Sequence, residues 1–191
     1  CKAAAKKVEK SYKEAVKWFT QAAEQGSAYS QCNLGLMYET GQGVEKSDEE
    51  AFKWYTQAAE QGNVSSQRNL GYMYYAGRGV EKSYKDAVKW FTRDAEQGNA
   101  NSQRNLGFMY YEGQGVEKND KEAFKWFTQA AEQGDEVAQT YMGVIYYEGR
   151  GVEKSYKEAV KWYTQAAEQG NASSQCNLGL MYYEGQGVEK N

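Results

Sequence analysis

Apolar residues near the N-terminus follow a helical period. Ala15, Trp18, Phe19 and Ala22 fall at positions i, i+3, i+4 and i+7, so they share one face of an amphipathic helix. A Ser-x-x-Glu capping box at Ser11 predicts that the helix begins there. The same kind of box recurs further along the chain as Ser47/Glu50, Ser83/Asp86, Asn119/Glu122 and Ser155/Glu158.

A second helix is predicted directly after the first. Gly26 can adopt the left-handed conformation that ends a helix, and Ser27 is a favoured N-cap residue. Leu34 and Tyr38 lie one helical turn apart, so we expect them to form an apolar stripe that faces the core, called the inward stripe below. The glycine-rich turn 41–43 then ends the second helix. We therefore predict two antiparallel helices and no strand.

This helical pair repeats every 36 residues. All 20 glycines fall in four columns of five, and the tryptophans keep the same spacing at Trp18, Trp54, Trp90, Trp126 and Trp162. A unit of this size buries its apolar face only by stacking on a copy. The predicted fold is therefore an all-α, right-handed α-solenoid of five 36-residue helix-turn-helix repeats. Residues 1–10 are interpreted as the remnant of a preceding repeat turn or as an artificial addition, and the solenoid covers 11–191, with repeats 11–46, 47–82, 83–118, 119–154 and 155–190.

A glycine recurs inside the second helix of every repeat, first at Gly35. Glycine inside a helix costs about 1 kcal/mol relative to alanine. The recurrence predicts that a neighbouring helix passes too close for a Cβ, with the tryptophan ring as a candidate neighbour. The tryptophan column, and the tyrosine column that begins at Tyr38, are interpreted as core rather than as ligand platforms.

Composition narrows the range of functions. The net charge of −3, with Lys and Glu interspersed, argues against a nucleic-acid partner, which needs a concentrated basic face. No apolar run is long enough for a membrane span, and no signal peptide is visible. The chain has no His, which excludes a His-based triad and a His metal site. The Gly-x-Gly turns follow helices rather than strands and do not fit a phosphate loop. We predict no catalytic, cofactor or metal residues, and no enzyme.

The three cysteines do not predict a disulfide framework. Cys32 and Cys176 occupy one repeat column, four repeats apart, which is too far for a bridge. Free thiols favour a reducing, cytoplasmic compartment, although the localisation stays unknown. Because the chain lacks an initiator Met and ends within a turn, we expect it to be a piece of a longer protein.

Three segments carry a resemblance to a known family. They read Ser66-Gln67-x-Asn69-Leu70-Gly71-x-Met73-Tyr74 followed by Gly77-Arg78-Gly79-Val80, then Ala87-Val88-Lys89-Trp90, then Ala58-Ala59-Glu60-Gln61-Gly62. Together they resemble the Sel-one-like repeat family, relatives of the tetratricopeptide repeats. The resemblance implies a non-enzymatic scaffold or adaptor that binds other proteins. It also implies Ala where this chain has Ser66.

Most differences between repeats fall on the face of the second helix opposite the inward stripe. Arg, Tyr and Phe in these columns are residues typical of interface hot spots. We therefore predict that this concave face binds a protein or peptide; the alternative is that unconstrained positions drift. A second functional hypothesis is self-association, end to end or through the groove, as a homo-oligomer. The predicted partner-binding residues are Arg68, Arg104, Asn33, Asn69, Asn105, Tyr72, Phe108, Tyr75 and Tyr111.

Two deviations from the repeat stand out. Asp94 replaces the inward Ala found at this position in the other repeats. A buried carboxylate without a partner is costly, so we expect Asp94 either to pair with another group or to lie at the edge of the core. In the fourth repeat, Thr140-Tyr141-Met142 replaces the Arg/Cys-Asn-Leu sequence of the others. This change predicts a locally altered groove.

Overall fold

A computed structural model describes the chain from residue 2 to 188, with side chains from residue 7 onward. Over this range it contains helices and turns but no strand, which confirms the all-α repeat fold. The helices are α1 (Lys2–Glu24), α2 (Ala28–Thr40), α3 (Asp48–Glu60), α4 (Val64–Ala76), α5 (Tyr84–Glu96), α6 (Ala100–Glu112), α7 (Asp120–Glu132), α8 (Glu136–Glu148), α9 (Tyr156–Glu168) and α10 (Ala172–Glu184).

The chain divides into two units after Asp94. Within each unit, consecutive helices pack against one another, as α2 packs on α3 and α8 packs on α9. Alanine and aromatic side chains form most of each core, because small residues on one helix make room for rings on the next. In the second unit, Ala123 and Ala130 surround the fully buried Phe127.

The caps follow the sequence prediction at almost every helix. The N-cap side chain of each second helix accepts a hydrogen bond from the backbone N–H three residues further on, as Asn63 does from Ser66 at 2.9 Å. Gly26 has a φ of 91° and lies in the left-handed region, as predicted. At the predicted capping boxes, the N-cap side chain accepts from the backbone N–H three residues further on, as expected for Ser47, Ser83, Asn119 and Ser155. The backbone N–H of each N-cap residue, however, donates to a tyrosine carbonyl of the preceding second helix and not to the acidic side chain of the box.

The start of α1 differs from the prediction. This helix begins at Lys2 and runs through Ser11, so the expected N-cap at Ser11 is wrong. Residues 2–10 contain mainly Ala, Lys and Glu, which have high helix propensity and continue the helix. The assignment of residues 1–10 to a separate segment stays a prediction.

The glycine inside α2, α4, α6 and α8 lies against an aromatic ring, as predicted, but the ring is not the tryptophan; in α10, nothing among the described residues lies within 4 Å of a Cβ placed on Gly179. A Cβ on Gly35 would lie 2.7 Å from Tyr55, and a Cβ on Gly71 would lie 2.6 Å from Phe91. The contacting ring follows the tryptophan directly in sequence. Consecutive residues of an α-helix point about 100° apart, so the tryptophan and the ring that follows it face in different directions.

The tryptophans are buried to different degrees, and Trp54 and Trp162 are half-buried. Trp90 is 8% exposed and Trp126 is 7% exposed, whereas Trp18 in α1 is 61% exposed. The tyrosine column is half-buried at its first four positions, where Tyr74 makes an edge contact with Phe52 at a centroid distance of 5.3 Å, whereas its last member, Tyr182, is exposed.

A glutamine in each second helix, buried in all but α10, completes the backbone hydrogen bonding at the end of the first helix. Gln139 donates its Nε2 to the Ala131 carbonyl at 3.1 Å, and its Oε1 accepts from Gln169 Nε2 at 2.7 Å. Because a helix end leaves carbonyls without intrahelical partners, this side chain replaces the missing donor. The sequence analysis recorded the glutamine only as part of the family motif.

Candidate functional site

The predicted binding face forms a groove in the first unit. We call it the α2/α4 groove because α2 contributes Glu39 and α4 contributes most of the remaining wall. Its volume is about 380 Å³. Tyr72 and Tyr75 are 37% and 39% exposed, so they present aromatic surface to solvent. The lining residues are Glu39, Asn69, Tyr72, Tyr75, Ala76 and Arg78.

Tyr55 forms the polar floor beneath this groove. Its hydroxyl donates to Glu39 Oε2 at 2.8 Å, and the Asn69 side chain bonds to the same hydroxyl. Burial raises the pKa of Tyr55 far above its ordinary value of 10.0, and the neighbouring Glu39 raises it further. Arg78 forms an ion pair with Glu39, and this carboxylate raises the pKa of the guanidinium. The floor therefore consists of the uncharged Tyr55 hydroxyl beside the Glu39 carboxylate, whose charge is balanced by Arg78.

A second groove lies at equivalent positions three repeats later, in the second unit. We call it the α8/α10 groove, and its volume is about 260 Å³. Tyr163 takes the place of Tyr55, and burial raises its pKa well above the ordinary value. Asn177 bonds to the Tyr163 hydroxyl, as Asn69 does to Tyr55. The lining residues are Val144, Tyr147, Glu148, Tyr163, Asn177, Leu180, Met181 and Glu184.

The two grooves differ in charge. In the α8/α10 groove Tyr147 stands where the first groove has Glu39, so the ion pair that spans the α2/α4 groove has no counterpart there. Glu148 and Glu184 line its edge instead. Arg150 lies 4.0 Å from Glu148, and the Lys154 ammonium lies over the Tyr147 ring. The α8/α10 groove therefore has two carboxylates at its edge, and Arg150 balances part of the charge of Glu148.

Between α6 and α8, a cluster of rings occupies the corresponding position. Tyr141 stacks on Phe127 at 5.2 Å with an interplanar angle of 20°. Its ring also meets Phe108 at 4.6 Å and Tyr111 at 5.7 Å. Phe108 and Tyr111 were predicted to contact a partner, but here they pack against Tyr141 and are half-buried. In the fourth repeat, the pair is therefore Tyr141 and Phe127. The second and fifth repeats have an Asn–Tyr pair at the same positions, namely Asn69–Tyr55 and Asn177–Tyr163.

The predicted arginines are engaged within the protein. Arg68 Nε bonds Asp94 Oδ2 at 3.1 Å, and Asp94 is fully buried. Arg104 Nη1 bonds Asp135 Oδ2 at 2.7 Å, where Asp135 is also the N-cap of α8. Both guanidiniums are therefore already paired with carboxylates of the protein itself, and their contact with acidic groups of a partner stays a prediction. The expectation that Asp94 finds a partner is confirmed.

The predicted asparagines have three different environments. Asn33 Nδ2 donates to the Tyr29 carbonyl of its own helix at 2.8 Å. Asn69 lines the α2/α4 groove and contacts Tyr55. Asn105 Nδ2 is buried and has no hydrogen-bond partner among the described residues. Only Asn69 combines an exposed groove position with a polar contact at the floor.

Glu39 and Arg78 line the groove but are not among the residues predicted from the sequence. Both carried a visible signal, since Glu39 is the single charged residue in a column of tyrosines and Arg78 replaces the glutamine of the first Gly-x-Gly turn. Their pairing follows from the fold, which brings the turn after α4 to the end of α2. Across residues with described side chains, no cluster of His, Cys, Asp or Glu could hold a metal ion. Within the same range, no helix is both long and apolar enough to span a membrane.

Comparison with solved structures finds close matches to this fold. A protective antigen present in uropathogenic Escherichia coli strains, which displays an SLR fold, is 44% identical with a TM-score of 0.87. The match covers 92% of this chain but 38% of the antigen, so this chain spans much less than the antigen's full length. A Sel1 repeat protein from Oxalobacter formigenes is 38% identical with a TM-score of 0.88, and the match covers 97% of this chain and 76% of that one.

A more distant structure is the Helicobacter pylori cysteine rich protein B. It is 27% identical with a TM-score of 0.52, over 69% of this chain and 94% of its own. A search of curated protein sequences finds no significant match.

The profile of one family matches nearly the whole chain. It describes the Sel1 repeat and matches residues 4–27, 28–63, 64–99, 100–135, 137–171 and 172–191. Proteins of this family are generally protein-interaction scaffolds and are typically not enzymes. Together with the helix pairs and the related structures, this match shows that the chain belongs to the Sel1 repeat family.

Proposed function

We propose that this protein is a non-enzymatic scaffold that binds a partner protein by holding an extended segment of it in the grooves between successive second helices. The observation that carries the proposal is the recurrence of one groove design. In both grooves an asparagine of the lining bonds a buried tyrosine hydroxyl: Asn69 bonds Tyr55, which lies behind the lining of the α2/α4 groove, and Asn177 bonds Tyr163 in the α8/α10 groove. Clefts with apolar walls and a few fixed polar groups are the usual form of a binding site.

In the α2/α4 groove, the aromatic walls supply most of the contact area. Tyr72 and Tyr75 are partly exposed, rigid side chains of the kind enriched at interface hot spots. Asn69 has an amide that can bond a peptide backbone when the segment displaces solvent. Arg78 neutralises Glu39, so this groove favours an apolar or neutral side chain of the partner.

In the α8/α10 groove, the acidic edge favours a different side chain. Leu180 is exposed and supplies apolar contact, while Glu148 and Glu184 supply negative charge. A lysine or arginine of the partner would place its aliphatic stem against Leu180 and its charge at the carboxylates. The two grooves would then select an apolar and a basic residue, respectively.

The test begins with a peptide library displayed against the intact chain, followed by calorimetric titration of the selected peptide. Tyr72→Ala with Tyr75→Ala is expected to weaken binding by about thirtyfold, since hot-spot truncations cost about 2 kcal/mol or more. Lys53→Ala with Lys89→Ala is the control, because both lysines are exposed on first helices.

Circular dichroism confirms that each variant is folded before titration. If the lysine pair loses affinity and the tyrosine pair does not, the grooves are not the binding site. Glu148→Gln with Glu184→Gln should weaken a basic peptide selectively, and an unchanged affinity for such a peptide would contradict the proposed role of the acidic edge.

A further inference from the structure

Two carboxylates lie near the Arg78 guanidinium, which forms an ion pair with one of them, Glu39, at the edge of the α2/α4 groove. The hydrogen bond to Glu39 is the largest influence that raises the pKa of Arg78, and the charge of Asp48 also raises it, so Asp48 lies within electrostatic reach. The Asp48 Oδ1 atom is nevertheless buried and has no hydrogen-bond partner among the described residues. A buried polar atom in this state is costly.

The fourth repeat contains the same arginine with the other partner. Arg150 occupies the position of Arg78 two repeats later, and Asp120 occupies that of Asp48. Arg150 Nη2 donates to Asp120 Oδ1 at 2.7 Å. Because the second and fourth repeats have helices and turns of equal length, the Arg78 side chain is long enough to reach Asp48 in the same way.

Within this sequence, arginine in the Gly-x-Gly turn occurs only together with aspartate as the second residue of the repeat. The other three repeats combine glutamine with tyrosine: Gln42 with Tyr12, Gln114 with Tyr84, and Gln186 with Tyr156. Glu39 does not follow this pattern, since it is the single charged residue in a column of tyrosines. Tyr111 holds its position before the fourth repeat, and the Arg150 guanidinium lies over that ring at 3.5 Å. Glu39 therefore accounts for the different partner of Arg78.

The groove beside Glu39 suits a side chain with an aliphatic stem and a cationic end. Tyr72 and Tyr75 are partly exposed and line the same cavity as Glu39. Glu39 Oε2 accepts from the Tyr55 hydroxyl at 2.8 Å, which holds the carboxylate in the groove wall. A lysine or arginine packs its stem on aromatic rings and keeps its charge at a carboxylate. Arg78 holds the other Glu39 oxygen and is the group that such a side chain has to replace.

We propose that a basic side chain of the partner segment binds Glu39 in the α2/α4 groove and that Arg78 then moves to Asp48. The exchange leaves both carboxylates paired, and it supplies a donor to the Asp48 oxygen that lacks one. This inference rests on the proposed function and extends it. The groove takes a neutral side chain while Arg78 is at Glu39, and a basic side chain while Arg78 is at Asp48.

A double-mutant cycle on the free chain tests whether Arg78 has two positions. Glu39→Gln and Asp48→Asn each leave one carboxylate for Arg78, so each alone should change the unfolding equilibrium constant in urea by less than about threefold. Together they should raise it by about tenfold more than the product of the single effects, because residues that share a partner are coupled. In the matched control cycle Glu49→Gln replaces Asp48→Asn, since Glu49 is exposed at the same helix start. Multiplicative effects in the test cycle would overturn the proposal.

Two displayed peptide libraries, with either lysine or methionine fixed at the central position, test the binding step by calorimetric titration of the best peptide from each. Replacement of the central lysine by methionine should weaken binding of the lysine peptide by about tenfold, the loss of one charge pair. Glu39→Gln and Asp48→Asn should each weaken the lysine peptide by a similar factor, about tenfold, and leave the methionine peptide unchanged. Glu49→Gln should affect neither peptide. Circular dichroism shows that each variant is folded before titration.

The outcomes separate this inference from the proposed function. If Tyr72→Ala with Tyr75→Ala weakens neither peptide, the groove is not the binding site and both fail. If that pair weakens both peptides but Asp48→Asn weakens neither, or weakens both alike, the groove binds a partner without the movement of Arg78 and only this inference fails. It also fails if the methionine library yields a peptide that depends on the two tyrosines and the lysine library yields none.

Discussion

Gly107→Ala tests whether a ring, rather than helix propensity, decides the stability at this position. Alanine is the better helix former by about 1 kcal/mol. A Cβ at Gly107, however, would lie 2.6 Å, 2.7 Å and 2.8 Å from three atoms of the Phe127 ring. Phe127 is fully buried and packed by Phe108 and Tyr141, so it cannot move aside without disturbing both neighbours.

Overpacking of this kind costs about 1–3 kcal/mol. After the gain in propensity is subtracted, and because three ring atoms are involved, we expect a net loss of about 1–2 kcal/mol. For a chain of this size the melting temperature should fall by about 2–8 °C. Urea denaturation gives the free energy of unfolding, and differential scanning calorimetry gives the melting temperature.

Gly179→Ala provides the matched control in the same repeat column. No ring faces Gly179, so the propensity gain should remain and the monomer should become more stable by about 1 kcal/mol. Both variants are measured at concentrations where the chain is monomeric. If Gly107→Ala also raises the melting temperature, the ring yields to a Cβ and the close-approach explanation of these glycines is refuted.

Three further predictions follow from single contacts. Arg68→Ala should lower the free energy of unfolding by about 2 kcal/mol in urea, because it removes a counterion from the buried Asp94, and Asp94→Ala added to it should recover most of the loss. Tyr55→Phe should reduce alkaline destabilisation: the folded pKa is raised above 10.0, so the stabilisation is complete below about pH 10 and falls as the pH rises, which urea titrations across that range would reveal. Tyr141→Asn should cost about 1 kcal/mol through lost stacking on Phe127, and Phe127→Tyr added to it should recover part of this by restoring an Asn–Tyr pair, as a double-mutant cycle would show.

The sequence was sufficient to predict the repeat, its helices and nearly all its caps. These features depend on local patterns: an N-cap such as Asn63 bonds three residues away, and a left-handed glycine such as Gly26 ends the helix beside it. The start of α1 was the exception. A capping box at Ser11 fits a helix that begins there, but residues 2–10 continue the helix, and a box within a continuous helix has no end to cap.

Contacts between helices were harder to predict. The sequence identified the close approach at each internal glycine but suggested the wrong ring, because helical position gives the direction of a side chain only to within about one residue. The sequence also did not reveal that the Arg68 side chain reaches Asp94 on the next first helix. A long side chain can contact residues well away from its own helical face, so column position alone does not show whether its charge is free.

The candidate grooves depend on the residues that differ between repeats rather than on those that recur. Residues that recur in every unit build the junctions, so they carry little information about which partner is bound. Where a first helix carries tyrosine, as at Tyr55 and Tyr163, the hydroxyl requires polar neighbours, and a groove stays open above it. Where Phe127 takes that position, the hydroxyl is missing and Tyr141 stacks on the bare ring. In these three repeats, the aromatic residue of the first helix and its neighbour on the second helix distinguish an open groove from a filled surface. The binding specificity of an array with nearly identical units would then depend on the order in which open and filled repeats follow one another.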